Sequence, residues 1–402
     1  MDGGLSATGN VDSRRLIAVL ALLSSFGPLA MDMYLSALPM LRNDLHTDTA
    51  GAGSTLSTFL LGMAVGQLLY GPLSDHYGRK AMLLVGAGLF TVASLCVTLS
   101  HDLVSFNLLR FVQAVGAASG MTLGRAIVRD LFDERHVADL FSILAVVGMA
   151  APLLAPLLGV AFIAAGGWRL VFAALTVLGL ICVGAIAFKL PESLPAERRT
   201  AKLGLRSTMT AFGGLMAHSR FLIASLTTGC VSAILFGYIT GAPLLFIEHF
   251  GFSRVGFTIL FMTAVAGMMS GGQINRRLLA RHRGRDILRS AATIAVAVGL
   301  TLIAATWTNA YLLCAALVAM TICVGFMIPN GAAAAMMVTD RIGLASSLLG
   351  VVQFGSGFLA SALVTFAGAR TPAGMAIVMC GFAIAARLLW AQRERLDDAH
   401  AG

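Results

Sequence analysis

Asp32 lies deep within the first long apolar run of the chain, residues 16–40. An ionisable group at membrane depth is costly, which makes it a functional candidate by default. Of 19 Asp plus Glu residues, Asp32 alone is placed this deeply, while Glu248 and Asp340 sit at ends of apolar runs, where water is at hand. A carboxyl in such a place can carry a proton, its charge state answering to cavity hydration and to substrate. The plainer alternative is a carboxylate that only caps or pairs near one end of the helix. The eight histidines fall in loops, at helix ends or in the tail, which argues against a buried histidine relay.

Arg110 stands inside the fourth apolar run, ahead of Phe111-Val112-Gln113-Ala114-Val115-Gly116-Ala117-Ala118. A guanidinium there must find acceptors, and Asp32 or backbone carbonyls of the first helix are the available ones. It is either a coupling partner or a fixed interhelical tie. Gly116, Ala117, Ala118 and Gly120 permit close helix contact.

Gly71-Pro72-Leu73-Ser74-Asp75-His76-Tyr77-Gly78-Arg79-Lys80 joins the second and third apolar runs. Gly71 and Gly78 allow a tight turn, Asp75 can accept backbone N–H groups or an arginine, and Arg79 can meet Asp130 below the fourth run. Such ties would hold one mouth closed in one state and break in the other. Pro152 and Pro156, followed by Gly159, lie within a single apolar run. They free two backbone acceptors and bend a helix, so this face is expected to meet the other half of the molecule. Tyr34, Gln113, Tyr238, Asn330 and Gln353 are the scattered polar side chains expected to line a cavity, each equally suited to an interhelical hydrogen bond.

These groups are positioned by a chain that is 58% hydrophobic and 12% charged over 402 residues, against about 25% charged in a soluble domain. A span needs about 20 apolar residues, so about a dozen spans fit. Apolar runs between charged or Gly/Pro-rich breaks predict helices over 16–40, 54–70, 81–100, 103–128, 140–163 and 168–189, then 221–247, 255–273, 290–306, 310–338, 345–368 and 375–391. The expectation is an all-α membrane protein of twelve transmembrane helices in two pseudo-symmetric six-helix bundles.

With the N-terminus inside, 22 of the 28 Lys plus Arg residues fall in cytoplasmic segments, against Arg42, Arg169, Arg254 and Arg370 outside. That asymmetry predicts both termini in the cytoplasm and explains the net charge of +9 without nucleic acid. Residues 1–15 read as a cytoplasmic tail, 16–190 as the first bundle, 191–220 as a basic cytoplasmic linker, 221–391 as the second bundle and 392–402 as a second tail. Paired bundles of this kind place a substrate cavity at their interface near the bilayer midplane. Arg14 and Arg15 resemble a twin-arginine signal, but the run continues past Pro28 into a second span, so they read as anchors. The six cysteines lie within apolar stretches without C-x-x-C spacing and read as packing residues.

Together these segments resemble the major facilitator superfamily. Gly71 to Lys80 matches its G-x-L-x-D-x-x-G-R-K signature, Arg110 to Ala118 is similar to its fourth-helix motif, and Ala155-Pro156 with Gly159 resembles the antiporter motif of the fifth helix. Asp32-Met33-Tyr34-Leu35-Ser36-Ala37-Leu38-Pro39, Arg129-Asp130 and Ala345-Ser346-Ser347-Leu348-Leu349-Gly350 resemble the bicyclomycin and chloramphenicol resistance exporters. The resemblance implies drug:proton antiport, with Asp32 and Arg110 serving coupling or substrate and Asp75, Arg79 and Asp130 a cytoplasmic gate. The chain departs from the motifs at Ala114, Ala155 and Val160, where glycines are usual.

The expected protein is a multi-pass inner-membrane exporter that exchanges a small amphipathic molecule for protons. It is expected to act as a monomer in the lipid bilayer, with no cofactor, metal or catalytic group. A proton-coupled importer or metabolite exporter of the same architecture is the rival reading. A membrane enzyme or sensor would need a His, Cys or Asp cluster at a membrane face or a soluble domain, and the sequence offers neither.

Overall fold

Pro28 has no N–H to give to Ser24, and the hydroxyls of Ser24 and Ser25 bond back to the carbonyls of Leu20 (2.8 Å) and Ala21 (3.0 Å). The first span therefore breaks. In this computed structural model, which describes residues 13–131, 134–199, 205–339, 342–368 and 371–398, it comprises α1 (Ser13–Ser24), α2 (Phe26–Asp32), a 3₁₀ turn (Leu35–Ala37) and α3 (Leu38–Asp44). The bend at the break is 41°. Expectations placed on residues 1–12 and 399–402, Lys202, Asp340, Arg341 and Arg370 lie outside the described residues.

Asp48 caps α4 (Thr49–Tyr77) by accepting from the Gly51 N–H at 2.7 Å. The helix ends where Gly78 takes φ +97°, a conformation that only glycine adopts freely, and α5 (Arg79–Thr98) starts at once. Next come α6 (Leu103–Leu131) and α7 (Glu134–Lys189). Gly166 and Gly167 leave helical geometry inside α7, so it is two rods, matching the expected fifth and sixth spans. The second half holds α9 (Ser219–Pro243), which continues in a π-helical turn (Leu244–His249), then α10 (Arg254–Leu278), α11 (Gly284–Thr308), α12 (Ala310–Met336), α13 (Ile342–Gly368) and α14 (Gly374–Asp398).

Among the described residues ten helical stretches are long and apolar enough to cross a membrane, eleven with the bent first span. Counting both rods of α7 gives the expected twelve. The segment between the halves is not plain linker throughout: it carries α8 (Leu205–Ala217), whose Phe212 packs on Phe221, Ala224, Ala335, Ala345 and Leu348. The short apolar pattern of α8 was hidden in sequence by the surrounding basic residues.

The halves meet chiefly where α4 lies along α13 and where α7 lies along α10. The α4–α13 seam is made of small residues and hydroxyls. Ser57 and Ser361 are 2.8 Å apart, Thr240 of α9 donates to the same Ser361 at 2.8 Å, and Gly350 abuts Gln67.

Candidate functional site

Asp32 is the last residue of α2, just where the broken span turns into the 3₁₀ segment. It is 2% exposed, it enters no ion pair among the described residues, and its Oδ1 has no hydrogen-bond partner. It sits on the wall of a cavity of about 170 Å³ between the two halves. From the first half, Pro28, Phe59, Met63, Met121 and Pro152 join it; from the second come Phe236, Tyr238, Phe261, Met268 and Phe354. The wall is almost wholly apolar and rich in methionine and phenylalanine, surfaces that adapt to varied lipophilic shapes. The Tyr238 hydroxyl, also buried and without a partner, is the other polar group at this wall that lacks one. A carboxyl and a phenol with open hydrogen-bonding capacity are what an amphipathic guest would engage.

Arg110 projects from α6 into the first half. Its Nη1 donates to the Ala30 carbonyl at 3.0 Å and to Gln113 Oε1 at 2.6 Å, and Gln113 passes the chain on to Ser94 at 2.7 Å. Its Nε and Nη2 have no hydrogen-bond partner. The guanidinium carbon lies 4.2 Å from the ring centre of Phe59, 4.5 Å from Tyr34 and 5.5 Å from Phe172. Three aromatic faces thus take the place of further acceptors. Of the two acceptors open to Arg110 in the sequence, it uses the helix carbonyl; there is no Asp32–Arg110 ion pair in this structure. The reason is local: the broken span presents the Ala30 carbonyl two residues before Asp32, and the carboxyl turns toward the cavity instead.

The remaining polar residues divide by role. Tyr238 lines the cavity, whereas Tyr34 gives its ring to Arg110 and lies 3.0 Å from the Thr55 hydroxyl. Gln113 is buried beside Arg110, and Asn330 ties α12 to Asn275 of α10 at 2.7 Å. Gln353, half-buried on α13, is not at the cavity wall. Pro152 reaches the cavity, Pro156 is buried, and Gly159 meets the Met33 carbonyl so closely that an added Cβ would lie 1.9 Å from its oxygen. That contact holds the first rod of α7 against the residue next to Asp32.

At the α4–α5 turn, Arg79 is buried and pairs with Asp75 (2.7 Å) and Asp130 (3.2 Å), and also donates to Ser74. Its own N–H donates to Glu192 Oε1 at 2.9 Å, and Arg199 pairs with the same carboxylate at 3.4 Å. Glu192 had no signal in the sequence beyond a charge in the linker. Asp75, Arg79 and Asp130 all belong to the first half, so this cluster braces one bundle internally. Gly71 is where α4 comes near Ser347 of α13. On the opposite face, Arg42 of α3 and Glu248 of the π-helical turn pair at 2.8 Å across the two halves. The sequence placed Glu248 at a helix end but gave no hint of its partner.

Among the described residues no group of His, Cys, Asp and Glu could hold a metal ion. The Major Facilitator Superfamily pattern matches residues 20–361. The uncharacterized MFS-type transporter YdgK of Bacillus subtilis is 33% identical over 355 residues, 87% of this chain and 88% of that one. A bicyclomycin resistance protein homolog of Haemophilus influenzae is 29% identical over 90% of this chain and 92% of its own, and the multidrug resistance protein MdtL of Klebsiella pneumoniae 29% over 85% and 86%. Among solved structures, a D-xylose–proton symporter superposes with a TM-score of 0.76 at 15% identity, covering 94% of this chain and 97% of the other. A bacterial homolog of the human lysosomal transporter Spinster, inward-facing and unoccupied, gives 0.75 at 17% over 97% and 98%. At such identities these two likenesses carry the fold alone.

Proposed function

The chain belongs to the major facilitator superfamily, and we propose that it is a proton-driven exporter of small amphipathic molecules, drugs among them. The observation that carries this reading is the unpaired Asp32 on an apolar wall shared by both halves. The names of the relatives in Haemophilus and Klebsiella support the substrate class. In this reading Asp32 carries the proton, and substrate and proton use the cavity in turn as the halves rock about it. Inward movement of a proton supplies about 2.3 kcal/mol per 100 mV of potential, plus the pH term. Arg110 holds α2 in register so that the carboxyl stays at the wall.

The charge asymmetry of the loops supports an inner-membrane orientation with both termini cytoplasmic. The first bundle is taken as 16–190 and the second as 221–391, joined by the cytoplasmic segment 191–220, and one chain suffices for transport. The Arg79 cluster then braces the cytoplasmic face, and Arg42–Glu248 lies on the external face.

The test is Asp32→Asn in proteoliposomes under an imposed pH gradient, with an ethidium-type and a chloramphenicol-type compound as trial substrates. The variant should insert and fold as the wild type does, yet lose pH-driven transport by about a hundredfold or more, since it removes the one deep carboxyl. Efflux by Asp32→Asn at the wild-type rate would overturn the assignment. Comparing everted with right-side-out vesicles separates export from import.

A further inference from the structure

A second cavity, of about 570 Å³, opens at the face that carries the α4–α5 turn. Its walls come from α4, the start of α5, α6, α8 and α13, so it too lies between the halves. Among the described residues three arginines line it, and they differ in their partners. Arg79 takes up both nearby acids, Asp75 and Asp130. Arg125 donates only to the Met121 carbonyl of its own helix, at 3.2 Å, and Arg129 has no ion pair or hydrogen bond among the described residues. Arg129 nevertheless reaches across the interface: a Cβ at Gly343 of α13 would lie 3.6 Å from its Nη2.

The one acid on this wall, Asp75, is engaged by Arg79, and the other polar groups among the described lining residues are hydroxyls. Ser346 and Ser347, in the first turns of α13, have no hydrogen-bond partner among the described residues, and α13 directs its N-terminal end to the same space. Leu68, Leu123, Leu344 and the Phe212 ring of α8 form an apolar side to the same cavity. Arg125, six residues inside the end of α6, and Arg129, near that end, enter no ion pair among the described residues, and two such guanidinium groups on one wall call for an anion. A donor-rich end beside an apolar side calls for an anion with a lipophilic body.

We infer that this cavity is a capture site for amphipathic carboxylates, in which Arg125 and Arg129 hold the anionic head while Phe212 and its neighbours cover the body. It rests on the transporter reading, and adds to it a preference by charge at the entrance. Cationic lipophiles would be disfavoured there, and the molecule would shed its arginine contacts before passing to the Asp32 cavity.

The test is equilibrium binding of dansylglycine, its neutral methyl ester and the cation dansylcadaverine to the full-length chain in phosphatidylcholine nanodiscs, read by fluorescence anisotropy against empty discs. Wild type should bind dansylglycine about tenfold or more tightly than the ester, the effect of one charge-assisted contact. Arg125→Gln/Arg129→Gln should bring that ratio close to one, and Arg125→Lys/Arg129→Lys should retain part of it, which guards against a variant that merely fails to fold. An undiminished ratio in the glutamine variant, or a wild-type preference for dansylcadaverine, would overturn the proposal. An anionic lipid headgroup offers the same chemistry, so one arm replaces part of the phosphatidylcholine with phosphatidylglycerol. Loss of dansylglycine binding there would give the site to lipid and overturn the substrate assignment. Because equilibrium binding needs no transport, its failure leaves the exporter reading standing, and failed pH-driven efflux leaves this site standing.

Discussion

Arg42 and Glu248 face each other at 2.8 Å across the boundary between the two halves, and no other ion pair formed among the described residues joins them. Both side chains are part-exposed, 34% and 21%, so solvent screens the pair and its contribution is about 1 kcal/mol at most. In an equilibrium between two states that is still about a fivefold change of population. Glu248→Gln should therefore raise maleimide labelling of a cysteine placed at Thr365, which lines the cavity beside Glu248, by several-fold. Exchanging the pair, Arg42→Glu with Glu248→Arg, should return labelling toward wild type. Equal labelling in all three proteins would mean that the pair closes nothing.

Arg110→Ala leaves the Ala30 carbonyl and Gln113 without their donor and empties a cage of three aromatic rings. We expect a loss of about 3 kcal/mol or more, seen as a markedly lower melting temperature in detergent. Arg110→Lys keeps a charge and one donor but not the planar face, and should fall between the two. If Arg110→Ala melted like wild type yet failed to transport, the residue would act on the proton rather than on the position of α2.

Gly159→Ala puts a methyl group 1.9 Å from the Met33 oxygen, with only backbone available to move. The α2–α3 segment must shift away from α7, at a cost of about 1–3 kcal/mol. Because Met33 follows Asp32, transport should fall further than stability. Proteoliposome efflux and thermal melting on the same preparation separate the two. An active, normally melting variant would show that this contact is slack.

For Asp75→Asn, Arg79 keeps Asp130 and Ser74 while losing one acidic partner. Asp75 is not on the wall of the Asp32 cavity, so for a neutral substrate maximal efflux should drop several-fold with little change in the half-saturating concentration. A collapse of substrate affinity at normal maximal rate would place Asp75 in the binding site instead.

The spans were legible because the membrane imposes a length and an apolar composition on every one of them. The break at Ser25 was less so. Pro28 signalled a weak point, but the back-bonding of Ser24 and Ser25 depends on rotamers the sequence does not specify. Asp32 stood out as a costly group, and its place on a shared wall required the packing of both halves. Tyr34 and Tyr238 illustrate the limit. Two tyrosines within spans are equivalent in sequence, yet one stacks on Arg110 and the other faces the cavity, because helix rotation decides which side a ring takes. Arg42–Glu248 brings together residues far apart in the chain, a pairing without any local pattern.

The seam between α4 and α13 has a mechanical consequence. Its polar contact is hydroxyl to hydroxyl, Ser57 to Ser361, and Ser361 also accepts from Thr240 of α9 behind it, all set among small side chains. A hydroxyl both gives and receives, and rotates about a single bond, so each can change partner as the surfaces slide without passing through a fully unsatisfied state. Two helices that meet in this way would grip like lubricated plates, through small surfaces and a hydroxyl contact that can be renewed, in place of interlocked side chains. Replacing these hydroxyls by larger aliphatic groups would lock the plates by interdigitation, turning a moving contact into a static one.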